Sequence, residues 1–384
     1  MEKIKLAMIG GGPDSFIGAV HRNAAWLDGK FDLVAGAFSS SAEKSQQAGA
    51  QLGLDPNRVY DSYDELFEKE QKLPKNQRVE AVAIVTPNHV HADPAMKALE
   101  NGMHVIIDKP LSFDLDEAKQ LKKKVDETGL IFALTHSYTG YPMIKEARHQ
   151  IAGGKFGGLR KIFVEYPQGW LSHSLEKEGN KQASWRTDPS RSGAGGAVGD
   201  IGTHAANLAE YVSGLKIERV CADLNTVVEG RNLDDDASAL LRFEKGASGV
   251  LIATQVAAGE ENDLKLRVFG EMGGLEWSHK DPNTLLIKML DEPVHIYRTG
   301  TDYVADITKK NTRLPAGHPE GYLEAFANIY LAFGDAVQDY NRGALKEIKS
   351  YDFPTVEDGV RGMAFIKTMV ESSNSNTKWT KFLL

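Results

Sequence analysis

The sequence predicts two joined folds of different class: an α/β part with a doubly wound parallel sheet, then an α+β part with a large, mostly antiparallel sheet. Three observations predict this. The first 140 residues alternate short apolar runs with stretches of helical spacing, the rhythm of a parallel sheet covered on both faces. Beyond about residue 140 the apolar runs follow one another through tight turns, as antiparallel strands do. The chain of 384 residues also exceeds what one hydrophobic core ordinarily organises. The domains are therefore placed at 1–140 and 141–384.

Residues 4–9 read as the first strand, closed by Gly10-Gly11-Gly12, and 17–27 have helical spacing. Residues 31–37 are a second strand, followed by a polar helix ending near Gly53. Ser62 with Glu65 three residues later forms a capping box and starts a short helix. A strand at 81–85, a helix at 94–100 stopped by Gly102, and a strand at 104–107 follow. The helix 114–128, ended by Gly129, and a strand at 131–135 complete the alternation. In the second part, runs 239–243 and 249–256 flank Glu244-Lys245-Gly246, and 264–269 and 275–277 flank Glu271-Met272-Gly273-Gly274. Both are hairpin signals. Helices at 201–212, 322–340 and 356–371 are placed around these strands.

Hydrophobic residues make up 41% and charged residues 26%, the profile of a folded globular chain. The net charge of −8 is interspersed, with no basic stripe to neutralise phosphates, so no nucleic-acid partner is expected. No signal peptide and no bilayer-length apolar run is visible, so no membrane partner and a cytoplasmic location are expected. The single Cys221 excludes an internal disulfide. His89 and His91 lack the partner spacing of a zinc framework, and no metal is expected.

Gly10-Gly11-Gly12 lies between a strand and a helix, where a dinucleotide pyrophosphate meets a helix N-terminus. The third glycine of the simple fingerprint falls on Ser15, with Phe16 next, and a glycine returns at Gly18 as though the turn were three residues longer. An ordinary turn reads the same way. The tip of the second strand is Phe38-Ser39-Ser40-Ser41, with Lys44 on the following helix. Without a carboxylate there, both NAD and NADP stay open, and Ser41 is equally a helix cap.

Thr86-Pro87-Asn88 and Asp108-Lys109-Pro110 follow two of the strands at their carboxyl ends, where open α/β sheets bind ligands. A lysine held there can stabilise a developing alkoxide; it also reads as an ordinary surface lysine. The stretch 195–204 carries Asp200 and His204 four apart, on one helical face. An imidazole can take a hydroxyl proton as hydride leaves the same carbon, whereas a helix cap and a satisfied core histidine are the alternative. Tyr138, Tyr141, Trp170, Trp185, Arg186 and His318 suit a sugar with apolar ring faces and hydroxyl edges, or are core residues.

Taken together these motifs resemble the glucose–fructose oxidoreductase/inositol dehydrogenase/rhizopine catabolism (Gfo/Idh/MocA) family over nearly the whole chain. The resemblance rests on Gly10–Gly12, Thr86-Pro87-Asn88, Asp108-Lys109-Pro110, Gly-Asp-Ile-Gly-Thr-His at 199–204 and Gly-His-Pro-Glu-Gly at 317–321. It implies a Rossmann domain at 1–140 and a substrate-binding, oligomerising domain at 141–384. It also implies Lys109 as catalytic lysine, in a motif more often written Glu-Lys-Pro, with His204 as acid/base and Asp200 as orienting carboxylate.

Gly10, Gly12, Ser15, Phe16, Ser39, Ser40, Lys44, Thr86, Asn88, His91, Asp108 and Lys109 would line the cofactor, NAD ahead of NADP. Lys109, Tyr138, Trp185, Arg186, Asp200, His204 and His318 would meet the substrate. The implied activity is oxidation of a secondary hydroxyl of a sugar, glycoside, anhydrosugar or inositol, by a homodimer or homotetramer joined through the open face of the second sheet. A redox-assisted glycosidase is the alternative, and an NAD(P)-binding sensor a third reading.

Overall fold

The computed structural model describes residues 2–12 and 15–384. They group into two compact units. One runs to Ser137 and adds Phe326–Val360; the other is Tyr138–Ala325 with Arg361–Leu384.

The first unit holds five parallel strands: β1 (Ile4–Gly10), β2 (Phe31–Ala37), β3 (Ala81–Val85), β4 (His104–Ile107) and β5 (Phe132–Leu134). Their order is β2-β1-β3-β4-β5, so the winding reverses between β1 and β3. The carboxyl ends of those two strands frame the crevice where such sheets bind ligands. Every residue of β3 is buried, as expected of a strand covered on both faces. The intervening helices start where the sequence places caps. Ser62 Oγ accepts from Glu65 N, while the Glu65 carboxylate accepts from Asp61 N, one residue ahead of the expected box.

Sequence spacing sets the helix Tyr322–Asn341 beside the second sheet, but from Phe326 onward it belongs to the first unit. Phe333 stacks on Phe31 at 5.9 Å and Tyr330 meets the same ring edge-on at 5.5 Å. An amphipathic pattern shows that a helix has a buried face, not which sheet buries it.

The second unit is built on nine strands: β6 (Leu159–Pro167), β7 (Ile217–Asn225), β8 (Asp236–Phe243), β9 (Ser248–Thr254), β10 (Lys265–Gly270), β11 (Gly273–Ser278), β12 (Thr284–Met289), β13 (His295–Arg298) and β14 (Thr380–Lys381). The order is β13-β12-β11-β10-β6-β9-β8-β7-β14. All neighbours are antiparallel except the central pair β6 and β9. Burial alternates along the strands: Ala237, Ala239, Leu241 and Phe243 of β8 are covered while Ser238, Leu240 and Arg242 are exposed. One face thus packs on the unit's own helices. The other carries Phe163 and Phe269 in edge contact at 6.2 Å, with Arg267 over the Phe163 ring.

Candidate active site

The glycine turn after β1 is shaped by contacts that exclude side chains. Gly10 and Gly11 both have left-handed φ, +77° and +66°, which glycine adopts without steric penalty. A Cβ on Gly10 would stand 2.6 Å from the Val85 carbonyl oxygen, and one on Gly18 would stand 2.3 Å from that of Gly11. Gly18 therefore supplies the close helix–strand approach that the third fingerprint glycine provides in a shorter turn. Ser15 caps the helix Phe16–Leu27, its Oγ accepting from Gly18 N at 3.1 Å. The Arg22 guanidinium donates to the Gly11 carbonyl, a brace with no signal in the motif. Phe16 is exposed.

At the tip of β2, Ser39 Oγ accepts from Ser41 N, and Ser41 Oγ accepts from Lys44 N as the helix cap. Ser40 and Lys44 are exposed.

Asp108 and Lys109 follow β4 and are half-buried. The Asp108 carboxylate accepts from Lys109 N and from Thr135 Oγ1, each at 2.9 Å. The short carboxylate thus folds back onto its own turn. The Lys109–Pro110 peptide is cis. His136, which sequence reasoning passed over, is buried in the same unit. Burial, aided by the Lys109 charge and opposed by Asp108, pushes its imidazole down to about 3.

Asn88 is buried, and Thr86 Oγ1 donates to the Val90 carbonyl. His91 departs from expectation. It is 1% exposed, and both ring nitrogens face backbone carbonyls, Pro110 O at 2.7 Å and Thr86 O at 2.8 Å. Its nitrogens are engaged inside the fold rather than offered to a cofactor.

In the second unit the glycine-rich stretch forms a π-turn, Val198–Gly202, running into the helix Thr203–Ser213. Such wide turns are rare and concentrate at functional sites. The turn is held by Asp234, whose carboxylate oxygens accept from Gly196 N and Val198 N at 2.7 Å each, while its carbonyl accepts from Ala197 N. A Cβ on Gly196 would stand 2.0 Å from that carbonyl, so only glycine allows the approach. Burial pushes the Asp234 carboxyl up to about 6, against the pull of the two amides. Nothing in the acidic run 234–236 marked it, because such runs ordinarily read as solvated loops.

Asp200 Oδ2 accepts from Arg186 Nε at 3.2 Å and from Gln255 Nε2 at 2.9 Å. Gln255 also donates to Gln168, which in turn bonds Trp170 and Asn262. Arg186 lies over the Trp185 ring at 4.2 Å, with Trp170 at 5.9 Å. The result is a half-buried rim of carboxylate, guanidinium, amides and indoles, which matches hydroxyl edges and apolar sugar faces.

His204 is 7% exposed and meets the Tyr138 ring edge-on at 5.0 Å. Tyr138 is itself buried: its hydroxyl pairs with that of Tyr166 and accepts from Asn262, and burial raises its pKa. Tyr138 thus backs His204 from within the core. His318 is exposed in a loop whose backbone is gathered by the buried Glu320 carboxylate, which accepts from Arg313 N and Leu314 N. Structure brings Asp200, Arg186 and Trp185 together, sets His204 on the helix that follows the π-turn, and leaves His318 apart from these contacts. Gln168 and Gln255 were missed, since isolated glutamines carry no pattern.

A glycine-cradled helix N-terminus and a lysine at a strand mouth in the first unit, with Asp200 on a π-turn and His204 on the helix after it in the second, accord with an NAD-dependent oxidoreductase. Residues 4–136 match the oxidoreductase family with NAD-binding Rossmann fold, and 144–276 match the GFO/IDH/MocA C-terminal domain. The chain belongs to the Gfo/Idh/MocA family.

An inositol dehydrogenase homolog from Azotobacter vinelandii, solved with NAD+, is 35% identical with a TM-score of 0.95, covering 99% of this chain and 98% of its own. The same homolog with NADH and myo-inositol gives 34% and 0.92, with the same coverage. An oxidoreductase from Sinorhizobium meliloti is 45% identical with a TM-score of 0.88, over 99% and 100% of the two chains. Levoglucosan dehydrogenase of Pseudarthrobacter phenanthrenivorans is 26% identical over 75% of this chain and 76% of its own. Among the described residues, no helix is long and apolar enough to cross a membrane, and no cluster of three His, Cys, Asp or Glu could hold a metal.

Proposed function

We propose that the protein oxidises a secondary ring hydroxyl of a cyclic polyol or sugar of the inositol or anhydrosugar kind, with NAD as cofactor. The observation that carries this reading is Asp200 on the π-turn, bonded by Arg186 and Gln255, with the Arg186 guanidinium over the Trp185 ring and His204 four residues on. NAD fits the chain's own cradle, because the backbone at Gly10, Gly11 and Gly18 leaves no room for side chains. Relatives solved with NAD+ and with NADH and myo-inositol support the same choice.

Bound NAD supplies the hydride acceptor. His204 takes the hydroxyl proton as general base while hydride leaves the same carbon. Lys109 holds the same oxygen as negative charge develops on it. Asp200, kept in place by Arg186 and Gln255, accepts from a neighbouring hydroxyl and so selects a vicinal diol. Trp185 covers an apolar ring face. Association of copies through the open face of the nine-stranded sheet is part of the same proposal.

The test replaces Lys109 by Met and His204 by Asn. Each should lower kcat by about 10²- to 10⁴-fold while NADH still binds with near-native affinity. Loss of NADH affinity in both variants, in step with turnover, would contradict these roles.

A further inference from the structure

The parallel strands β6 and β9 end side by side, with Pro167 in register with Thr254, so the next residue of each, Gln168 and Gln255, stands on adjacent backbone. Gln168 N donates to the Thr254 carbonyl at 2.8 Å and Leu171 N to the Gln255 carbonyl at 3.1 Å, which holds both main chains. The side chains meet as well: Gln255 Nε2 lies 3.3 Å from Gln168 Oε1 and 2.9 Å from Asp200 Oδ2. We infer that Gln168 is a positioning residue for Asp200: its carbonyl, held by the Trp170 indole, pins the Gln255 amide with its NH2 group facing the carboxylate.

The pattern of donors and acceptors sets the orientation of each amide. An indole N–H donates and cannot accept, so the Gln168 atom 3.0 Å from Trp170 Nε1 is the carbonyl oxygen. That oxygen only accepts, so Gln255 turns its NH2 group to it, and the same NH2 group reaches Asp200. The Gln168 NH2 group is left for Asn262 Oδ1 at 2.6 Å, where the Tyr166 hydroxyl also donates at 2.6 Å. A Gln168 amide turned end for end would set N–H against N–H at Trp170 and at Gln255, and oxygen against oxygen at Asn262.

Gln255 is 2% exposed, and a buried amide without a matched partner is costly. Its NH2 group is therefore held between two acceptors, one on the β6 side and one on the π-turn. The same Asp200 oxygen accepts from Arg186 Nε at 3.2 Å, and the Arg186 guanidinium lies 5.9 Å from the Trp170 ring. Trp170 thus stands behind both Gln255 and Arg186.

This inference rests on the reading of Asp200 as acceptor of a substrate hydroxyl, and the experiment separates the two. In 15N-tryptophan NMR of the intact protein, the Trp170 indole resonance is identified by its loss in Trp170→Phe. It should lose its hydrogen-bonded shift in Gln168→Leu and keep it in Gln168→Glu, whose carboxylate still accepts. Asn262 can turn its amide to meet that carboxylate, because the Tyr138 and Tyr166 hydroxyls beside it each donate or accept. An unchanged indole shift in Q168L overturns the tie, and the spectrum needs no variant to be active.

Steady-state kinetics then uses whichever inositol or anhydrosugar the wild type oxidises. Q168L should lower kcat/KM about fivefold, the effect of one hydrogen bond, with NADH affinity unchanged and partial recovery in Q168E. In a Gln255→Leu background Q168L should add almost nothing. A further fivefold loss in that background, or no recovery in Q168E, overturns the claim that Gln168 acts through the Gln255 amide. Wild-type kcat/KM in Asp200→Asn instead refutes the role of Asp200 itself, and removes the target that Gln168 is said to position.

Discussion

Replacing Asp234 by Asn tests how the π-turn is held. The carboxylate grips Gly196 N and Val198 N at 2.7 Å each. An amide keeps one acceptor and turns an NH2 group against the other N–H, leaving a buried donor unsatisfied at about 1–3 kcal/mol. Against this, D234N removes a buried charge. Burial raises this carboxyl from 3.8 to about 6, about 3 kcal/mol between the two protonation states.

The native state therefore holds a proton on Asp234 where the unfolded chain has released it. Its contribution to stability is full below pH 4 and lost as pH rises through about 6. Near pH 7.5 the two effects of D234N nearly cancel. By pH 4.5 the wild type has regained about 2 kcal/mol that the variant cannot. Other titrating groups are common to both proteins and drop out of the difference.

Urea unfolding followed by tryptophan fluorescence suits the question, because four of the five tryptophans, Trp170, Trp185, Trp277 and Trp379, lie in the second unit with Asp234. The stability gap should widen toward acid in the wild type's favour. A gap that is constant with pH, or that widens toward alkali, would refute the reasoning.

Three further outcomes follow from the same contacts. Arg186→Met, which frees Asp200 from its guanidinium and leaves Trp185 without its cation, should raise KM for the substrate about tenfold, read by steady-state kinetics with NADH affinity unchanged. Gly18→Ala sets a Cβ 2.3 Å from the Gly11 carbonyl and should weaken NADH binding at least tenfold by fluorescence titration, whereas Gly29→Ala, at an open left-handed position, should lose stability but not affinity. Gln255→Leu removes a donor to Asp200 and should lower kcat/KM by about 1–2 kcal/mol, with the loss absent in an Asp200→Asn background.

Much of this was legible in the sequence because it depends on local chemistry. The glycine turn, the strand-end tripeptides and the capped helices are written in neighbouring residues, and the parallel sheet follows from alternation alone. What lay outside reach depends on long-range approach. Asp234 braces residues nearly forty positions earlier, and neither Gly196 nor the acidic run says that they meet. The family resemblance sets His91 along the cofactor; only the fold shows both its nitrogens turned toward backbone. The helix beginning at Tyr322 has a clear apolar face, yet its partner, Phe31, lies about three hundred residues away.

The central claim is tested most directly by following absorbance at 340 nm while the protein meets NAD or NADP with inositols, anhydrosugars, free sugars and glycosides. A rise with NAD and one class of cyclic polyol or sugar, abolished in K109M and H204N, is the predicted result. No NADH formation with any of them, or release of a leaving group from an aryl glycoside without net NADH, would contradict it.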